Sequence, residues 1–586
     1  MKQHRLAGQL LCAASALLQA SCSTHQADPV AIRIRWAHDP ETLDPLQSPN
    51  QLALEAVSLL HLSLLQVDLA QQQLQPALAE TLPAVQLVGD SLTRLSYGIR
   101  PAAAWDNGRP VLASDVAFTL KLLFCPGLPN ENARARYSFI KDFEPDGANP
   151  RHFTLVCQGQ SVEHARTSGE FYILPEATLD PRGQLRRFSL AELRNRSATA
   201  PPDSALQAVA RRYQAANPGS SPEQLPGCGP YQLAKWDKDQ YLSFRRKPHW
   251  WATQLRPTPL VLRALPQQID YIIIPDAATA TLALRRGDLD VFPQMPTREF
   301  TRLQNLPAAQ TDLNFYSTTS YDVLMAGFNT QHAILADALT RQALSHCFDA
   351  AGLQRATQLG GGQRTASIIS PTDRNNYNDS LPPVPFDTHA TVALLHQAGW
   401  QHTTGAGSGW FRIGRDSQPQ PLRLVLRYRA NEALYATVAL QFQAAAAALD
   451  IPVVLRPTES GGFSAAMRTG DFDVYIRLLR GNPFMFNFIP LLHSAGIGDG
   501  NSTGFSTPAS DRLIEAITAA NSQALRKQLL RRFQVLMLQE MPMVPLFVLP
   551  NRIAARRQIT GLHVSSIKPG YSVTTLVRTP TLSSNP

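Results

Sequence analysis

The chain has 586 residues, 44% hydrophobic and 17% charged, with 45 Pro and 33 Gly. That length exceeds what one core sustains, and the composition excludes disordered and fibrous classes, so two or three turn-rich globular lobes are expected. The net charge of +9 is spread without a basic run of more than a few residues. A solvated basic surface follows, and no nucleic-acid partner.

At the N-terminus, Lys2 and Arg5 precede an apolar run over 6–20, too short to span a bilayer, which reads as the core of a signal peptide. It ends at Gln19-Ala20-Ser21-Cys22. Small residues before a Cys resemble a lipobox, in which Cys22 is lipidated and becomes the mature N-terminus; the usual Leu three positions before the Cys is Gln19 here, with Leu18 one further out. Residues 23–29 would tether the lipid to the folded body, and no later stretch is apolar enough to cross a membrane. Export leaves Cys125, Cys157, Cys228 and Cys347 in an oxidising compartment. Cys125 and Cys157 flank one helix–loop–strand unit and are the favoured disulfide, although four cysteines allow three pairings. There is no Cys-x-x-Cys and no His cluster, so no metal and no cofactor is expected.

In chain order, 31–36 alternates as a strand and is followed by Thr42-Leu43-Asp44-Pro45. Residues 53–65 suit a mostly buried helix, 91–100 a strand, and Asn107-Gly108 a turn before a helix capped by Ser114. The span 145–225 is loop-rich, with an exposed helix over 206–216. Then comes GCGPYQLAKWDKDQYLSFRRKPHWW over 227–251: Gly227 and Gly229 supply a turn through unusual φ, Tyr231 and Leu233 begin one strand, and Tyr241 to Phe244 form the next. A strand over 269–274 precedes a helix starting at Asp276 and stopping at Gly287. Further strands are expected from 321, 422, 471 and 543, and helices over 337–349, 387–400 and 434–449. Strands alternating with helices give an α/β architecture with largely covered sheets.

The order Gly-x-Gly-Pro-Tyr, hairpin, basic-Pro step and Trp resembles the signature of family 5 extracytoplasmic solute-binding proteins, the peptide- and nickel-binding components of ABC importers. The same family is matched by Thr42 to Pro45, by Trp105-Asp106-Asn107-Gly108 with Asp115-Val116 and Phe118, and by Gly287-Asp288-Leu289-Asp290-Val291. Asn329, Asp337, Arg341, Ala343 and Asp349 continue the series, as do Leu394, Leu395, Ala398, Gly399 and Trp400. The resemblance implies a two-lobed periplasmic binding protein fold (type II, cluster C) with an additional small lobe. Lobe I would comprise 22–59, 206–321 and 545–586 after a signal peptide over 1–21. The additional lobe would be 60–205 and lobe II 322–544, with hinge crossings near Tyr321 and Pro545.

Peptide-binding members hold the ligand's amino group with an Asp in a segment that here reads Ile476 to Pro483, and Leu479 occupies the Asp position. A buried ammonium needs a paired charge, so this chain either binds peptides by another anchor or binds something else. Arg477 and Arg480 could face an anionic ligand through bidentate guanidinium contacts. By family position Pro49, Asn50, Gln51, Tyr137 and Asn482 also approach the cleft. Ser138-x-x-Lys141 and Ser565-x-x-Lys568 fit a nucleophile motif, but its companion motifs are missing and no other catalytic signature is present, so no enzyme is expected. The implied role is a lipid-anchored, monomeric receptor outside the cytoplasm. It would deliver a peptide-like or other small ligand to an ABC permease and its ATPase subunits. The same fold used as a sensor or chaperone-like binder is the alternative.

Overall fold

The computed structural model describes residues 31–579 except 48–49, 197–200, 406–407, 415–416, 485 and 499, and omits the side chains of Glu131 and Asn132. Cys22 and Pro49 therefore lie outside the described residues.

Alternation puts Ile32, Ile34 and Trp36 of β1 (Ala31–Trp36) into one core. The helix α1 (Gln51–Leu60) starts at Asn50, whose side chain accepts the Ala53 N–H at 2.9 Å. It ends five residues before the expected 65, where His61 turns extended. The small lobe follows. In it β2 (Ala84–Val88), β3 (Leu92–Gly98), β4 (Ile140–Pro145) and β5 (His152–Gln158) form an antiparallel sheet in the order β2-β3-β5-β4. That sheet shares its core with α2 (Ala113–Leu123). Asp115 does structural work there: its buried carboxylate accepts the backbone N–H groups of Leu112 and Glu176 at 2.9 and 3.0 Å. The expected exposed helix is α3 (Ser204–Ala216). One face of it, including Leu206, Val209 and Tyr213, is buried in the same core.

The hairpin β6 (Tyr231–Asp237) and β7 (Tyr241–Arg246) leads to β8 (Gln268–Ile273), α4 (Ala277–Arg286) and β9 (Val291–Phe292). Next comes the long β10 (Leu313–Phe328), then α5 (Ala338–Ser345) and α6 (Thr388–Gln397). The rest of the second lobe is β11 (Leu424–Arg429), α7 (Ala433–Ala447), β12 (Val453–Thr458), α8 (Ser460–Thr469), β13 (Val474–Leu479), α9 (Pro508–Ala519) and α10 (Gln523–Glu540). The long β14 (Met543–Arg556) closes it. One sheet runs through both lobes in the order β12-β11-β13-β10-β14-β9-β1-β8-β7-β6, with the short strand Gln363–Arg364 beside β14. β10 and β14 belong to both lobes. Their outer halves pair at Leu313 to Thr319 with Pro550 to Arg556, next to β9, and their inner halves pair at Val323 to Gly327 with Met543 to Val548, next to β13.

The glycines of the 227–251 segment act differently from the expectation. Neither Gly227 nor Gly229 has a positive φ; both are required by close approach to the end of α1. A Cβ on Gly229 would lie 2.5 Å from the Leu59 carbonyl oxygen, and one on Gly227 2.4 Å from that of Leu60. Around this contact Lys247 pairs with Asp106 at 2.6 Å, and the Trp250 and Trp251 indoles both donate to the Cys228 carbonyl at 2.9 and 3.0 Å. Two sequence blocks more than a hundred residues apart thus meet at one helix end.

The favoured disulfide is not formed. Cys125 and Cys157 are free, buried thiols. The Cys125 sulfur faces the carbonyls of Pro126 and Leu206 at 3.7 and 3.9 Å, while Cys157 is held in β5 opposite Thr93. Burial pushes both thiols up to about 12.

Candidate functional site

Where β10 passes from one lobe to the other, its pairing with β14 is interrupted between Thr319 and Val323. Ser320, Tyr321 and Asp322 leave the ladder, with the Ser320 hydroxyl donating to the Leu549 carbonyl at 2.6 Å and accepting the Asp322 N–H at 3.0 Å. Such a bulge bends a strand and sets a pivot between the two halves of the sheet. Gly481, two residues beyond β13, seats the following loop on this point: a Cβ there would lie 2.2 Å from the Tyr321 carbonyl oxygen.

A polar cluster is buried at the pivot. Asp322 is 2% exposed and faces the Lys568 ammonium at 3.5 Å. Burial pulls the Lys568 pKa down, Asp322 opposes that, and Arg480 adds to it. On the lobe I side, α1 turns Glu55 inward. Burial pushes its carboxyl up to about 8 against the pull of Trp36, Lys568 and Gln51. Trp36 stacks on Tyr271 with ring centres 3.8 Å apart. Burial, with Glu55 adding to it, holds the Tyr271 and Tyr571 hydroxyls well above the usual range. Among the described residues those two hydroxyls and the Trp36 indole N–H, which acts on Glu55, make no hydrogen bond of good geometry, and the Asp322 oxygen that faces Lys568 has that ion pair alone. Buried polar groups are ordinarily satisfied. Four of the eleven exceptions among the described residues gather here, which makes the crossing the candidate site.

The lobes also touch away from the pivot. Glu163 of the small lobe accepts the Phe486 N–H at 3.0 Å and a guanidinium N–H of Arg526 at 3.1 Å, and the Val162 N–H reaches the Ala520 carbonyl at 3.1 Å. Burial raises the Glu163 pKa and the Arg526 charge opposes it. The lobes therefore stand in contact across the cleft.

The residues singled out in the sequence divide around this geometry. Gln51 interacts with Glu55, and Arg480 acts on Lys568. Leu479 is paired with Val323, one residue from Asp322. Asn50 caps α1, and Asn482 accepts the Phe484 N–H at 2.9 Å. Tyr137 is in the small lobe's core, edge-on to Phe171 with centres 5.3 Å apart. Arg477 acts on the hydroxyls of Tyr435 and Tyr475. Sequence reading missed Trp36, Tyr271, Asp322, Tyr571 and the Glu163–Arg526 pair, and it noted Lys568 for the wrong motif. Glu55 had a signal: it is the lone charge in the apolar 53–65 run. The Asp44 of the TLDP step is consumed structurally, accepting the Tyr213 hydroxyl and the Leu46 N–H. Asp337 and Asp349 are helix caps, and Asp290 is paired with Arg33 and Arg578.

Among the described residues there is no group of three or more His, Cys, Asp or Glu that could hold a metal, and no helix long and apolar enough to cross a membrane. The peptidoglycan-binding protein YepA of Agrobacterium fabrum is 22% identical over 510 residues, 80% of this chain and 76% of its own. The nickel-binding periplasmic protein of Escherichia coli is 24% identical over 348 residues, 58% of this chain and 63% of its own. Among solved structures, the oligopeptide-binding protein AppA of Bacillus subtilis, in complex with a nonapeptide, superposes with a TM-score of 0.73 at 17% identity, covering 94% of this chain and 99% of that one. That likeness shows the two-lobed fold. The model of the bacterial extracellular solute-binding proteins, family 5, matches residues 73–499, so the chain belongs to that family and is a binding protein rather than an enzyme.

Proposed function

We propose that this chain is the receptor of an ABC importer. It takes a small solute between its lobes, closes about the β10–β14 crossing and presents the solute to a permease driven by separate ATPase subunits. The observation that carries the reading is the buried polar cluster at the crossing of the two lobe-spanning strands, where the Trp36 indole and the Tyr271 and Tyr571 hydroxyls lack a hydrogen-bond partner among the described residues. In this reading the chain divides into lobe I (22–59, 206–321, 545–586), a small lobe (60–205) and lobe II (322–544), which the passage of β10 and β14 between the two halves of the sheet supports. AppA's nonapeptide and YepA's peptidoglycan make a peptide-like ligand the first choice. Its amino group would not be held at position 479, where Leu replaces the acid. Cys22 carries a lipid, which is the chain's one attachment to the membrane, and the receptor works as a monomer.

The test is native mass spectrometry of residues 23–586, purified gently and then unfolded in stages. A mass excess lost on unfolding, together with a smaller radius of gyration of the loaded form in X-ray scattering, is the expected result. The substitution at Leu479 favours a second reading, a non-transport sensor or chaperone-like binder. A chain that binds solute but shows no association with any permease encoded beside it would move the function there.

A further inference from the structure

Val162 and Glu163 lie in the small lobe, between β5 and the helical turn His164–Thr167. Their place is fixed from within that lobe. The Ser161 hydroxyl accepts the Glu163 N–H at 3.2 Å, and the Thr167 N–H returns to the Glu163 carbonyl at 2.8 Å. The His164 ring stacks on Phe139 with centres 4.5 Å apart, and the Ser168 and Tyr97 hydroxyls meet at 2.6 Å. Opposite stand Phe486 and Arg526 of the second lobe. Phe486 packs in one core with Leu530 and Phe533, and Arg526 is buried near the start of α10. The Arg526 guanidinium lies 5.3 Å from the centre of the Phe486 ring and donates to the Gln523 side chain at 2.6 Å.

Three bonds cross from one side to the other. One Glu163 oxygen accepts both the Phe486 N–H and an Arg526 N–H, and the Ala520 carbonyl accepts the Val162 N–H. Arg526 is 2% exposed and Glu163 8%, so the ion pair is sealed from water. Arg166 supports the Glu163 charge while opposing that of Arg526, which Asp373 supports. A buried ion parted from its partner has to be rehydrated, which makes such a contact costly to break. The small lobe precedes β10 in the chain, whereas Phe486 and Arg526 lie between β10 and β14. The two sides are therefore joined through the crossing of those strands, and a rotation that parts the lobes there has to break the Glu163 contacts.

We propose that the small lobe is the latch of the receptor: Glu163, by gripping Phe486 and Arg526 together, holds the lobes shut and sets how readily they part. This rests on the reading of the chain as a receptor that closes about the β10–β14 crossing. Glu163 is a positioning residue in this account, acting through its two partners without touching the solute.

The test is hydrogen exchange of residues 23–586 without added solute, read by mass spectrometry on peptides carrying Val162 and Phe486, together with X-ray scattering. Glu163→Gln keeps the shape and removes the charge. It should speed exchange at Phe486 by about 10- to 100-fold, the range of one charge-assisted bond, and enlarge the radius of gyration. Val162 is the deciding probe, because its acceptor is Ala520 and not Glu163. It should speed up as well, since it is freed only when the lobes part. Arg526→Gln breaks the same grip from the other side and should act alike, with little added in the double variant. Arg526→Lys keeps the charge and should do less. Unchanged Val162 protection in both Gln variants overturns the latch. So does faster exchange spreading into β3 and β5, which would make Glu163 a brace of the small lobe alone. The receptor reading fails separately. Lobes that part as expected in a chain with which no solute co-purifies uphold the latch and remove the receptor. Unchanged Val162 protection, with a co-purified solute that narrows the wild type, removes the latch and keeps the receptor.

Discussion

Glu55→Gln is the sharpest perturbation of the pivot. Burial raises this carboxyl from its ordinary 4.5 to about 8, so the folded chain holds the proton more tightly than the unfolded one. A group shifted in that direction leaves stability intact below the unfolded pKa and takes it away as pH rises towards the folded one. Each tenfold difference in proton affinity is worth about 1.4 kcal/mol. The cost of Glu55 is then about 3 kcal/mol at pH 7 and about 5 kcal/mol above pH 8. Glutamine keeps the shape and carries no proton to lose. The variant should match the wild type near pH 4.5 and exceed it progressively up to pH 8 in urea unfolding followed by tryptophan fluorescence. Infrared spectra give a second readout, since a protonated-carboxyl band present at pH 6.5 should be missing in the variant. A stability difference that stays constant from pH 5 to pH 8 would refute the reasoning.

Three further outcomes follow from named contacts. Glu163→Ala leaves the Arg526 charge buried without its partner and should cost about 3–5 kcal/mol; a double-mutant cycle with Arg526→Gln should recover most of it, and scattering should show wider lobes. Gly481→Ala drives a Cβ into the Tyr321 carbonyl and should cost about 1–3 kcal/mol, with weaker binding of whichever solute the wild type takes. Cys125, Cys157, Cys228 and Cys347 should resist a thiol reagent in the folded chain and all react in denaturant without prior reduction; fewer than four reactive thiols would mean that a disulfide forms after all.

The fold was legible because its signals are local. Asp276, Asp337 and Asp387 each cap a helix where the sequence places a start, Asp349 caps a new helix where the sequence places an end, and the alternation of 31–36 and the hairpin at 231–246 are retained. Boundaries shifted where tertiary contacts intervene: α1 stops against Gly229, and β13 begins only after Asp473, whose carboxylate accepts the Val425 N–H at 2.7 Å. The site was less legible because it is assembled from six separate stretches, and burial creates its character. Nothing local distinguishes Tyr271 from other strand tyrosines or Asp322 from a surface acid. Only the sheet register puts Asp322 beside the residue pair Val323 and Leu479.

That register changes what the missing clamp means. An acid is present near position 479, but it stands on the hinge strand and already faces Lys568. A ligand ammonium entering there would have to displace Lys568 before Asp322 could hold it. Glu55, raised to about 8, gives an incoming cation little help near neutral pH. An anionic group meets the opposite situation, with Lys568 and Arg480 at the pivot. The family's fold is retained here by residues that cap helices and seat strands.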